Sequence, residues 1–259
     1  MPFADLRSVR IHYSLTGPDS GPVLVMSSSL GANLSMWDTQ VAALSSRYRL
    51  LRYSTRGHGQ SSAPPGPYSI ATLANDVLNL LDALRFDRVH FCGLSMGGQT
   101  GMWLGQHAPS RLNKLVLCNT GATIGTHEAW NARIDTVLSK GLTDVSSAVV
   151  SRWFTPDFAL LHPDAVASAK SMIESANPGG YASCCAAVRD FDVRDNLSSI
   201  SVPTLVIAGA HDFATPAADG RFLAENIPGA QYVELRAAHL SNIEAAAQFI
   251  SVVETFLSA

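Results

Sequence analysis

Apolar and polar residues follow two rhythms along this chain, and their order predicts a fold. Residues 9–15 alternate apolar with polar positions, the period of a half-buried strand, while 23–26 and 49–53 read as short runs inside a buried sheet. Residues 70–84 instead repeat their apolar positions every three or four residues, which predicts an amphipathic helix. A strand over 88–92, a helix after Ser95 and a strand over 114–118 continue the alternation. Strand signals return at 203–209 and 231–235, before a closing helix over 243–257. Strands alternating with helices imply an α/β fold, with a mainly parallel sheet flanked by helices on both faces.

Between Gly121 and about Ser198 the strand signals stop. Helical patterns over 128–138 and 144–154 are broken by Pro156, Pro163 and Asn177-Pro178-Gly179-Gly180. The expected organisation is therefore a core of residues 1–123 and 199–259 with a helical lid, residues 124–198, inserted between two strands. A lid has a physical rationale there, because parallel sheets leave their ligand crevice at the C-terminal ends of the strands.

Composition narrows the class. In 259 residues, 47% are hydrophobic and 15% charged, enough for a sizeable core and too little charge for a disordered chain. A net charge of −3 provides no general attraction for nucleic acid or an anionic membrane, so neither is expected as a partner. An anionic ligand would need local cations. The four cysteines lack C-x-x-C spacing and suit reduced, buried thiols rather than a disulfide framework or a metal site. The first residues lack the basic-then-apolar pattern of a signal peptide, and no run reaches the roughly 18 apolar residues of a membrane span. A cytoplasmic protein is the expectation; nothing in the sequence specifies an oligomeric state.

The chemistry concentrates at Gly93-Leu94-Ser95-Met96-Gly97. A G-x-S-x-G motif is informative where a strand runs into it and a helix leaves it, and both signals are present. Small flanking residues permit a sharp turn that lifts the Ser95 hydroxyl above the sheet, and the helix N-terminus aims amides at a developing anion. A serine hydroxyl attacks only when a base takes its proton. Asp212 follows the strand at 204–208 and His239 follows the strand at 231–235, the order of nucleophile, acid and base that accompanies this motif. Ser95, Asp212 and His239 are the expected catalytic residues. Of the seven other histidines only His58, in Arg56-Gly57-His58-Gly59, competes as the base. It precedes the serine, the wrong order, and a structural loop role is expected of it. An oxyanion hole needs two N–H donors. Met96 is the first, and Leu30, in the loop Ser27-Ser28-Ser29-Leu30-Gly31, is the expected second. This chemistry requires no metal and no organic cofactor.

The chain also resembles a known family. The stretches SSSLGANLSMWD, RYSTRGHGQSS, GLSMGG, RWFTPDF, GGYASCCAAVRDFDVRD and GAHDFATP are similar to those of the bacterial 3-oxoadipate enol-lactone hydrolases of the α/β-hydrolase superfamily. GLSMGG and RGHGQS are widespread among small α/β hydrolases, and the lid stretches are the specific part. The resemblance implies the α/β-hydrolase fold. It also implies hydrolysis, through an acyl-enzyme, of a five-membered unsaturated lactone bearing one carboxymethyl group, yielding 3-oxoadipate in aromatic-compound breakdown. Such an anionic substrate needs a lid cation. Arg133, beside Trp130 and Ile134, is the expected one, with Arg152 and Arg189 as alternatives; Trp153 is the expected pocket wall.

Two positions depart from the wider superfamily. Ser28-Ser29 replaces the His-Gly common before the oxyanion residue, and Ser54 stands where an aspartate often precedes the Arg-Gly-His-Gly loop. No charged interaction is therefore carried over to position 54. Another small carboxylesterase or a carbon–carbon bond hydrolase would use the same three residues. A non-catalytic small-molecule receptor is the competing reading from outside the enzymes.

Overall fold

A computed structural model describes residues 2–259; Met1, the first residue of the expected 1–123 core segment, lies outside the described residues. Among the described residues the strands are β1 (Phe3–Asp5), β2 (Arg10–Thr16), β3 (Val23–Ser27), β4 (Arg49–Tyr53), β5 (Val89–Leu94), β6 (Leu112–Cys118), β7 (Thr204–Gly209) and β8 (Gln231–Leu235). They form one sheet in the order β1-β2-β4-β3-β5-β6-β7-β8. Pairing is antiparallel for β1 with β2 and for β2 with β4, and parallel across the rest. β5 and β7 are buried along their whole lengths. A strand covered on both faces reads as a continuous apolar run, which is why neither shows alternation.

The helices are α1 (Asp38–Leu44), α2 (Ile70–Ala83), α3 (Met96–His107), α4 (His127–Lys140), α5 (Thr143–Val150), α6 (Pro156–Leu161), α7 (Pro163–Glu174), α8 (Pro178–Arg189), α9 (Ala217–Asn226), α10 (Ser241–Glu244) and α11 (Ala246–Ser258). α4 to α8 all fall between β6 and β7. Pro156, Pro163 and Pro178 begin α6, α7 and α8 rather than merely ending the helices before them. Proline fits a first helical turn because its missing N–H would have no intrahelical partner there. No helix among the described residues is long and apolar enough to cross a membrane.

Three elements differ from expectation. β1 spans only three residues, too short to show a period. The helix expected over 144–154 stops at Val150; the next residues turn, with Trp153 N–H donating to Val150 O, and Leu240 N–H caps Trp153 O at 3.0 Å. The closing helix is broken at Ala245 into α10 and α11. Tertiary bonds hold α10 apart: the Glu244 carboxylate accepts from Ala238 N–H (2.9 Å) and Thr155 N–H (3.2 Å), and Asn242 Nδ2 donates to Met36 O (2.9 Å).

The loop after β4 finds its charged partner on α2. Arg56 donates from Nε and Nη2 to both Asp76 oxygens at 2.6 Å, and both side chains are buried. The uncharged Ser54 instead accepts from Leu34 N–H through its hydroxyl (3.4 Å). α8 docks on this loop backbone to backbone, since a Cβ on Gly180 would lie 2.4 Å from Gly57 Cα. Asn177 N–H adds a bond to Gly57 O at 3.0 Å.

Candidate active site

Ser95 joins β5 to α3 with φ 59° and ψ −116°. A non-glycine residue pays roughly 1–3 kcal/mol for such a backbone, so its surroundings must enforce it. They do so from both sides of the peptide: Ser95 N–H donates to Cys118 O (2.9 Å), and Thr120 Oγ1 donates to Ser95 O (2.8 Å). The glycines of the motif are demanded by contact. A Cβ on Gly93 would lie 2.1 Å from Gly97 O, and one on Gly97 2.2 Å from Ser27 O. The turn therefore packs against β3, whose C-terminal loop carries Leu30. Neither Leu30 N–H nor Met96 N–H donates a hydrogen bond among the described residues.

Asp212, after β7, and His239, after β8, come together at the same end of the sheet. His239 Nδ1 lies 2.8 Å from Asp212 Oδ2, and both residues are buried. Burial alone would raise the Asp212 pKa. The adjoining His239 and the hydrogen bonds from His239, Asn119 and Thr215 outweigh it and hold the carboxyl at about 2. An ionised carboxylate only accepts, so His239 donates from Nδ1 and leaves Nε2 as the basic nitrogen. Ser95 and His239 line one cavity. No hydrogen bond joins them among the described residues; such contacts commonly tighten when substrate binds.

Three supporting residues were not anticipated. Asn119 Nδ2 donates to Asp212 Oδ2 (3.0 Å) and to Ala238 O (3.1 Å), while its Oδ1 accepts from Ser241 Oγ. One amide thus ties the acid loop to the base loop. Thr215 donates to Asp212 from its backbone N–H (3.0 Å) and its hydroxyl (2.7 Å). Thr120 holds Ser95, as described. The available signal is the polar pair Asn119-Thr120 directly beyond the apolar strand β6.

The remaining walls come from the segment between β6 and β7, from its helices and the turns that join them. Ile124, Trp130, Val149, Trp153 and Val188 line the cavity with apolar surface, and Arg133 and Arg152 line it with charge. The Arg133 guanidinium carbon sits 4.7 Å from the centre of the Trp130 ring. Neither arginine has an ion-pair partner among the described residues. Burial and then the like charge of Arg133 lower the proton affinity of Arg152. Two facing cations with no counter-ion make a site that favours an anion. Arg189 does not share it: its guanidinium bonds to Asp190 and Asn131, and it does not line the cavity. Among the described residues no group of His, Cys, Asp or Glu side chains is arranged to hold a metal ion.

His58 has both ring nitrogens engaged by backbone. Gly31 N–H donates to Nε2 (2.9 Å), and Nδ1 lies 3.2 Å from Arg56 O. Burial lowers its pKa to about 4. The unfolded ring takes a proton near the ordinary histidine value of 6.5, so between about 6.5 and 4 the unfolded state binds more protons. Stability accordingly rises with pH across that window and is lost on acidification. A shift of that size predicts a contribution from His58 of about 3 kcal/mol to that loss. Denaturant melts at pH 7 and pH 4.5 are expected to show wild type losing about 2–3 kcal/mol more than His58→Gln. Equal losses would clear His58 of the effect.

Comparison with known proteins assigns the class to which this fold and site belong. The family model described as the alpha/beta hydrolase fold matches residues 22–246, and the chain belongs to that family. Within it the chain belongs with the 3-oxoadipate enol-lactonases. It is 44% identical to 3-oxoadipate enol-lactonase 2 of Acinetobacter baylyi over 97% of this chain and 94% of that protein. It is 40% identical to 3-oxoadipate enol-lactonase 1 of the same organism, over 94% and 91%. Among solved structures, the enol-lactonase of Burkholderia xenovorans LB400 is 45% identical, with a TM-score of 0.98 and 100% coverage of both chains.

Proposed function

We propose that this protein hydrolyses 3-oxoadipate enol-lactone to 3-oxoadipate in the breakdown of aromatic compounds. In this reading Ser95 is the nucleophile, His239 the general base and Asp212 the residue that orients it. Residues 124–198 act as a lid over the core. The observation that carries the choice of substrate is the pair of uncompensated cations, Arg133 and Arg152, in the apolar cavity that also holds Ser95 and His239.

The geometry supports the following reaction. Ser95 Oγ attacks the ring carbonyl while His239 Nε2 takes its proton, and the oxyanion forms between Met96 N–H and Leu30 N–H. Collapse breaks the ring C–O bond, which opens the lactone and leaves its acyl group on Ser95 as the acyl-enzyme. The leaving oxygen departs as an enolate, a better leaving group than an ordinary alkoxide, so protonation by the His239 imidazolium can come late. The enol then becomes a ketone. Water, with His239 again as base, attacks the acyl group and releases 3-oxoadipate from Ser95. Arg133 and Arg152 hold the spectator carboxylate throughout, and Trp130 and Trp153 wall the ring.

Kinetics on the enol-lactone beside a neutral ester of similar size test this assignment. The lactone is expected to have the higher kcat/KM; preference for the neutral ester would favour a general carboxylesterase instead. A charge-assisted hydrogen bond is worth about 1.5–3 kcal/mol, so Arg133→Met should lower kcat/KM for the lactone roughly ten- to a hundredfold. The neutral ester should be nearly unaffected. Equal losses on both substrates would make Arg133 structural, and a loss appearing only in Arg152→Met would move the clamp there.

A further inference from the structure

We propose that His58 is a positioning residue that sets the Leu30 N–H of the oxyanion hole by accepting the Gly31 N–H at its Nε2. The proposal rests on the reading of Ser95 as nucleophile and Leu30 as donor. Leu30 is followed by Gly31 at φ 86°, a left-handed conformation that glycine adopts without steric penalty. Glycine also fits the space, because a Cβ there would lie 3.0 Å from the Ile173 side chain and 3.1 Å from the Tyr181 ring. Ala32 N–H donates to Ser29 O at 3.0 Å and closes a turn over Leu30 and Gly31, which leaves the central peptide between these two to be fixed by other contacts. A hydrogen bond to Gly31 N–H fixes that central peptide and, together with the Ala32–Ser29 bond, holds the turn that presents the Leu30 N–H. His58 Nε2 supplies that bond at 2.9 Å and is itself 1% exposed, so water does not compete.

The ring is braced for this task. Its Nδ1 faces Arg56 O, and Arg56 is clamped by Asp76 of α2. Burial disfavours the imidazolium, which keeps a lone pair on Nε2. On its other side the Tyr181 ring of α8 has its centre 6.1 Å away, and Gly180 is pressed against Gly57. One imidazole therefore connects the donor loop with the lid helix α8. An oxyanion donor is worth about 10²–10³ in kcat, and displacement of a reacting group by about 1 Å costs about a hundredfold, so small loop errors are costly.

The test compares two amides at position 58. His58→Gln can place its carbonyl oxygen near the Nε2 position and keep the Gly31 bond. His58→Asn is shorter and reaches only the Nδ1 position. Activity is normalised to the fraction of enzyme that a fluorophosphonate labels at Ser95, which removes any contribution from unfolded protein. The expected result is a kcat for His58→Asn lowered roughly ten- to a hundredfold, with KM changed less than about threefold and a parallel fall in labelling rate. His58→Gln should recover most of the loss. A nitrogen–nitrogen coupling across the hydrogen bond between Gly31 and His58 in ¹⁵N-labelled wild type should be measurable whether or not either variant folds. Equal kcat in the two variants, or no such coupling, would overturn the proposal. Failure of Ser95 to label in wild type would instead sink the reading on which it rests.

Discussion

Ser95→Ala is expected to abolish turnover, with kcat falling on the order of a millionfold toward the uncatalysed level, as when the nucleophile of other serine hydrolases is removed. The chain should remain folded. Ser95 Oγ makes no hydrogen bond among the described residues, and the bonds that enforce the turn come from its backbone N–H and carbonyl. The mutant therefore loses a reactive atom and little else, and its stability should change by no more than about 1 kcal/mol. Mass spectrometry after fluorophosphonate treatment should find one adduct in wild type, on Ser95, and none in the variant. An adduct elsewhere, or retained activity, would remove Ser95 from the mechanism.

His239→Ala should be nearly as damaging, because an unassisted hydroxyl is a poor nucleophile. Asp212→Asn should be milder yet still severe, roughly 10⁴-fold in kcat. The structure shows why. Asp212 accepts from His239 Nδ1, Asn119 Nδ2, the Thr215 hydroxyl and the N–H groups of Ala214 and Thr215. An asparagine amide would set a donor against one of these donors. It would also favour the tautomer that leaves no lone pair on His239 Nε2. Kinetics of the two variants on a neutral ester, which avoids the arginine pair, measure this directly. If His58→Ala were the inactive variant and His239→Ala worked normally, the base would have been assigned to the wrong histidine.

Much of this was legible in the residues, for reasons that differ from feature to feature. The turn at Ser95 is readable because its requirements are local: small residues and positive φ are demanded within five consecutive positions, and Gly93 meets Gly97 inside the motif itself. The strand-then-loop placement of Asp212 and His239 is readable because an apolar run marks β7, Tyr232, Val233 and Leu235 mark the shorter β8, and the two polar residues follow these strands. Asn119, Thr215 and the partner of Arg56 were not readable. Asn119 and Arg56 act across contacts set by sheet order, which brings β6 beside both β5 and β7 and α2 beneath the loop after β4, while Thr215 acts three residues from Asp212 through a turn whose shape the residues do not announce. The arginines between β6 and β7 divide in a similar way. Sequence marks Arg133, Arg152 and Arg189 as cations near apolar residues, and it also sets Asp190 directly after Arg189. Only the tertiary structure decides that the Arg189 guanidinium turns to Asp190 and to the distant Asn131, away from the cavity, while Arg133 and Arg152 line the cavity without an ion-pair partner among the described residues. Whether a charge is spent depends on what the fold carries to it through space.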